Sequence, residues 1–233
     1  MRLDSGMNTV EVNGVTLHYA VFGEGEPIVL IHGNGEDHGI FHCEIEQLTA
    51  AGYKVYAPDS RGQGANEPLA EYHYADMAED MYAFIRAMGL SRPALYGFSD
   101  GGIIGLLLEI RHPGTLGILA VSGTNLSPAG LIPSFVEEYS ALNREHPDPL
   151  VTLMLTEPRI SPEELKNTRI PVLVTAGEHD LILRSETEKI AKALPDAETV
   201  IVENEDHGSY IIGSEIMGKL LLAFLEKARK PRD

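Results

Sequence analysis

One serine bracketed by glycines constrains this chain more than any other feature. Gly97-Phe98-Ser99-Asp100-Gly101 follows the apolar run Ala94-Leu95-Tyr96 and opens into GGIIGLLLEIRH at 101–112. The short apolar run reads as a buried strand, and the longer one after the serine reads as an apolar helix. Joining them within so few residues brings two backbones closer than a Cβ allows, hence glycine two positions before and two after the serine. The serine stands at the strained apex of the turn with its hydroxyl exposed.

The rest of the chain keeps the same alternation. Residues 9–13 and 15–22 predict a hairpin turning at Gly14, and strands are expected at 28–32, 54–58, 93–98, 116–122, 171–176 and 199–203. Helices are expected at about 40–51, along the stripe Met77, Met81, Phe84, Ile85 and Met88, at 101–112 and at about 209–228. This pattern predicts an α/β fold, a mostly parallel sheet of about eight strands with helices on both faces, in a single domain over 1–233. The rhythm breaks between Gly123 and Ile170. Ile132, Phe135, Val136, Tyr139 and Leu142 have helical spacing, and Pro147-Asp148-Pro149 interrupts them. Leu150, Leu153 and Met154 then begin a second short helix, and Ser161-Pro162-Glu163-Glu164 opens a third.

Composition narrows the partners. Of 233 residues, 43% are hydrophobic and 23% charged, ordinary values for a globular domain. The net charge of −17 repels nucleic acid and anionic membranes and leaves a small molecule as the expected partner. No apolar run approaches the roughly 18 residues of a membrane span. Met1-Arg2-Leu3-Asp4 leads into polar residues, unlike a secretory leader. Cys43 stands alone, so no internal disulfide forms, and a cytoplasmic setting is expected. Nothing in the pattern specifies an oligomeric state.

A serine hydroxyl becomes a nucleophile when a histidine takes its proton and an acid orients that histidine. After Ser99, the strand at 171–176 ends in Gly177-Glu178-His179-Asp180, and the strand at 199–203 leads to Asp206-His207-Gly208. Asp180 and His207 are therefore the candidate acid and base. His179, adjacent to Asp180, would point away from it. His38 and His42 have i, i+4 spacing but lack the H-E-x-x-H glutamate and an evident third ligand, so no metal is expected. Gly23-Glu24-Gly25-Glu26 carries glutamates where a phosphate loop needs a lysine, and reads as a turn between strands. Arg61-Gly62-Gln63-Gly64 reads as a structural loop at the edge of a pocket.

HGNG at 32–35, DSRGQG at 59–64, GFSDGG at 97–102, GEHD at 177–180 and DHGS at 206–209, in this order, resemble the α/β-hydrolase family. The resemblance implies Ser99 as nucleophile, His207 as base and Asp180 as acid, with no cofactor. Some members carry the acid before the cap; there this chain has Gly123-Thr124-Asn125, without a carboxylate. The N–H groups of Asn34 and Asp100 are implied as the oxyanion hole, and about 124–169 as a short helical cap over a small pocket. Phe98 and Asp100, with Phe135 and Leu153 from the cap, are the candidate substrate contacts. GFSDGG with the following IIGLLLEIRHP is also similar to the valacyclovir-hydrolase-like branch, which implies α-amino-acid esters whose ammonium pairs with Asp100. The other reading of Asp100 is a carboxylate held by a backbone N–H or an arginine. The expected reaction is hydrolysis of a small carboxylic ester, with amide or thioester open. The alternatives are a C–C bond hydrolase or perhydrolase with the same residues, or a non-catalytic ligand-binding protein of this fold.

Overall fold

In the computed structural model, which describes residues 6–230, one eight-stranded sheet organises the chain. The opening residues 1–4, read above for a leader, lie outside the described residues. The first strands, β1 (Asn8–Val12) and β2 (Val15–Phe22), pair antiparallel. Asn13 and Gly14 turn between them with φ of 45° and 79°, the positive angles that a two-residue hairpin needs. Next come β3 (Glu26–Ile31), a 3-10 turn at His38–Phe41, α1 (His42–Ala50), β4 (Tyr53–Pro58) and α2 (Tyr74–Ala87). Then follow β5 (Ala94–Phe98), α3 (Asp100–Arg111), β6 (Ile118–Ser122), α4 (Pro133–Glu145), α5 (Pro149–Thr156) and α6 (Pro162–Leu165). The chain continues through β7 (Val172–Gly177), α7 (Arg184–Ala193), β8 (Ala197–Val202) and α8 (Ile216–Arg229).

The spatial order is β1-β2-β4-β3-β5-β6-β7-β8, parallel from β4 to β8 and antiparallel at β1-β2 and β2-β4. Both faces of the parallel strands are covered, so their residues are apolar without alternation and split by parity between two cores. Val29 and Ile31 join Met77, Met81, Phe84 and Ile85 of α2 in one core. Ile28 and Leu30 join Phe41, Leu48 of α1 and Leu221 and Leu225 of α8 in the other. Arg61 grips Asp80 of α2 through Nε (2.5 Å) and Nη2 (2.6 Å), and Asn13 donates to the same carboxylate, which ties the hairpin turn to α2. Arg61 is thus structural, as its loop suggested.

Two differences from the sequence pattern matter for the site. The last helix starts at Ile216, not near 209, because Gly213 takes φ +70° and residues 209–213 form turns. The stripe expected on α4 packs into no core: no residue of that helix is buried, and Leu142 is 48% exposed. The short α6 carries its expected cap: Ser161 Oγ accepts from the Glu163 N–H, and Glu164 accepts from the Ser161 N–H.

Candidate active site

The carboxyl ends of β3, β5, β7 and β8 deliver the candidate residues to one edge of the sheet, where ligands bind in open α/β sheets. Ser99 follows β5 directly, at the start of α3, with φ 52° and ψ −113°. A Cβ on Gly97 would stand 2.1 Å from the Gly101 oxygen, and one on Gly101 would stand 2.0 Å from the Ile31 oxygen. Both glycines are therefore steric necessities. The strained serine is held by its own N–H, which donates to Ser122 O at 2.8 Å, and by its carbonyl, which accepts from Gly102 N–H at 2.9 Å.

Ser99, His207 and Asp180 lie in one hydrogen-bonded line. His207 Nε2 is 3.1 Å from Ser99 Oγ, and His207 Nδ1 is 2.7 Å from Asp180 Oδ1. Asp180 is buried and also accepts from the Gly177 N–H (3.2 Å) and the Ile182 N–H (2.9 Å), which fixes its plane. The Phe98 ring packs against the imidazole with centroids 4.9 Å apart. Gly123 backs the histidine: a Cβ there would come within 2.6 Å of His207 Cε1.

The loop after β3 is braced from several directions. His32 is buried; its Nδ1–H donates to Gly33 O at 2.7 Å and its Nε2 accepts from Ser60 N–H at 2.9 Å. Burial holds its pKa below the ordinary value, in keeping with the neutral ring this pairing needs. The Gly33 N–H donates to Glu36 Oε2 at 2.8 Å, and the Gly35 N–H to Gln63 Oε1 at 2.7 Å. Between them, the Asn34 N–H has no protein acceptor among the described residues. Asp100, first residue of α3, is at a position whose N–H has no intrahelical partner. Its side chain is 3% exposed and is held neither by a backbone N–H nor by an arginine: Tyr74 OH donates to Oδ1 at 2.6 Å, and Asn34 Nδ2 donates to Oδ2 at 2.9 Å. Burial pushes its pKa up to about 6 against those two bonds.

A cavity of about 280 Å³ opens above Ser99. Phe98, Asp100 and Phe135 line it, joined by Tyr139, Val151 and Met154. Leu153 does not line it; it is buried in the core, with its neighbours 151 and 154 on the cavity side. The reason is helical phase: residues three apart share a face, and 153 falls about 100° from 154. The segment between β6 and β7 is anchored at its base by the antiparallel bridge Leu131–Ile182 and by Ile132 N–H to Leu181 O at 2.9 Å, beside Asp180. His38 pairs with Asp59 at 2.8 Å and His42 is exposed. Tyr74, Glu36 and Gly123 were not singled out by motif; contacts with residues remote in sequence reveal Tyr74 and Gly123, and Glu36 shows itself by its bond to the Gly33 N–H and its place on the cavity wall.

A family model described as alpha/beta hydrolase fold matches residues 26–143, just over half the chain, and one described as TAP-like protein matches 153–233. The AB hydrolase superfamily protein YisY of Bacillus subtilis is 25% identical across 90% of this chain and 95% of its own. The serine hydrolase BPHL of Homo sapiens is 33% identical across 50% of this chain, a match that spans 42% of the human protein. Two solved esterases share the fold at 19% identity. That of Exiguobacterium antarcticum has a TM-score of 0.82 over 94% of this chain and 99% of its own. That of Thermogutta terrifontis has 0.80 over 97% and 100%. A strained serine between β5 and α3, an ordered run of five motifs and a family model across the first half converge: the chain belongs to the α/β-hydrolase family of enzymes.

Proposed function

We propose that the protein hydrolyses a small, neutral carboxylic ester through an acyl-enzyme on Ser99. The observation that carries this is the unbroken line from Ser99 Oγ through His207 to Asp180 at the floor of a largely apolar cavity. Ser99 Oγ attacks the carbonyl carbon as its proton passes to His207 Nε2, and the Asp180 carboxylate stabilises the imidazolium through Nδ1–H. The N–H groups of Asn34 and Asp100 receive the negative charge that forms on the carbonyl oxygen. His207 returns the proton to the leaving alcohol, and water attacks the acyl-enzyme by the same route in reverse. A neutral ester is favoured over an α-amino-acid ester because both Asp100 oxygens already accept hydrogen bonds. The acidic surface and lone Cys43 support a small-molecule substrate and a cytoplasmic setting. The test is covalent labelling with a fluorophosphonate and turnover of aryl esters. Ser99→Ala is expected to lower kcat about 10⁶-fold and to abolish the adduct; an adduct on another residue overturns the assignment.

A further inference from the structure

The two N–H groups proposed for the oxyanion belong to separate elements. Asn34 is in the loop after β3, and Asp100 begins α3. Oxyanion donors work when both stand about 2.7–3.1 Å from one point in space, and the chain between 34 and 100 is too long to set that spacing. The side chains of the same two residues meet, however: Asn34 Nδ2 donates to Asp100 Oδ2 at 2.9 Å. The second hydrogen of that amide goes to Leu150 O of α5 at 3.2 Å, and the other Asp100 oxygen takes the Tyr74 hydroxyl at 2.6 Å. Tyr74 is buried at the start of α2, where its own N–H donates to Glu157 Oε2 at 3.1 Å. Both amide hydrogens of Asn34 and both oxygens of Asp100 are engaged within the protein.

We propose that the Asn34, Asp100 and Tyr74 side chains form a strut that sets the distance between the two oxyanion donors, with Tyr74 and the Asp100 carboxylate acting as positioning groups and not as a subsite for a charged substrate. The inference rests on the serine-hydrolase reading above and adds a role for the residue that follows the nucleophile. The carboxylate sits beside a developing negative charge, and two donors disperse its own. Through Leu150 the strut also joins the cap to the oxyanion hole, so that the same bonds locate α5, which carries Val151 and Met154 into the cavity.

The strut separates variants that keep its bonds from those that do not. In Asp100→Asn, the new amide oxygen accepts from Asn34 and the new N–H donates to the Tyr74 oxygen, so the link survives without charge. In Asp100→Ala it is lost. Asn34→Asp sets two carboxylates against each other, and the Asn34→Asp, Asp100→Asn double variant restores a donor facing an acceptor. Rates are read with p-nitrophenyl butyrate and with a p-nitrophenyl ester of an α-amino acid, and thermal unfolding shows which variants fold. Loss of a whole oxyanion donor costs about 10²–10³-fold, so Asp100→Ala and Asn34→Asp are expected to lose about 10–100-fold in kcat on the butyrate, with KM within about threefold. Asp100→Asn, which keeps both bonds without the charge, should retain a kcat at least about fivefold above that of Asp100→Ala, and the double variant should regain at least about tenfold over Asn34→Asp. Tyr74→Phe, which keeps the ring, should lower kcat by about tenfold and serves if Asp100→Ala does not fold. The strut is overturned if Asp100→Asn harms butyrate turnover as much as Asp100→Ala, if the double variant shows no recovery, if Tyr74→Phe leaves kcat unchanged, or if losses fall only on KM for the amino-acid ester. Fluorophosphonate labelling of wild type separates the two levels. A labelled wild type with indifferent variants removes the strut alone, whereas a wild type that neither labels nor turns over removes the hydrolase reading and the strut with it.

Discussion

A side chain at position 123 has nowhere to go. Gly123 holds φ +56°, and a Cβ would meet the His207 ring at 2.6 Å. Gly123→Ala is expected to displace the imidazole from Ser99, and a misplacement near 1 Å costs about 10²-fold in rate; steady-state kinetics with an aryl ester check it, and an unchanged kcat would show that the ring has slack. Asp180→Asn should lower kcat by about 10³–10⁴-fold through the wrong histidine tautomer, measured on the same ester. Glu44 makes a different kind of prediction. It is fully buried in α1, neither carboxyl oxygen has a partner outside its own residue among the described residues, and burial pushes its pKa up to about 8 from an ordinary 4.5. The folded state therefore binds this proton more tightly than the unfolded state. The stabilisation is complete below the unfolded value and is lost as pH rises from 4.5 towards 8, at about 1.4 kcal/mol per pH unit. Glu44→Gln should flatten that slope. Melting temperatures of both proteins from about pH 5 to pH 8 test it, and parallel curves would remove the assignment.

At the scale of elements, what the sequence made legible depended on whether a segment packs against its neighbours in the chain. The inner strands β4 to β7 and most of the α2 stripe are buried, so their apolar pattern reports the fold directly, and every expected strand is found within about two residues. The elbow was legible partly for a local reason, since Gly97 answers to the backbone of Gly101 in the same turn, whereas the need for glycine at 101 comes from Ile31 O, remote in sequence, and only the motif signals it. The phase of α5 was not. Its 8 residues are apolar on nearly every side, so nothing in the pattern distinguishes the core face from the cavity face. That error about Leu153 becomes a test. Leu153→Ala should destabilise the protein by about 2–5 kcal/mol and leave acyl-chain preference intact. Met154→Ala should do the reverse, shifting kcat/KM towards longer acyl chains at little cost to the melting temperature. The contacts of Asn34, Asp100 and Tyr74 were illegible for a related reason: they join positions 66 and 26 residues apart, and no periodicity encodes such pairs.

For the molecule as a whole, the sheet carries stability and its carboxyl edge carries chemistry, and the segment from β6 to β7 belongs to neither in full. Its helix α4 buries no residue, yet Phe135 and Tyr139 stack on each other at 4.2 Å over the cavity. A helix that contributes nothing to the core is free of the constraint that couples most positions in a protein to its folding equilibrium. Changes at 135 and 139 reshape the cavity wall without asking the fold to absorb a void or an overpacked side chain. The shape of this cavity is thus mutable on its own, and drift in one helix can remodel it while the rest of the chain stands still.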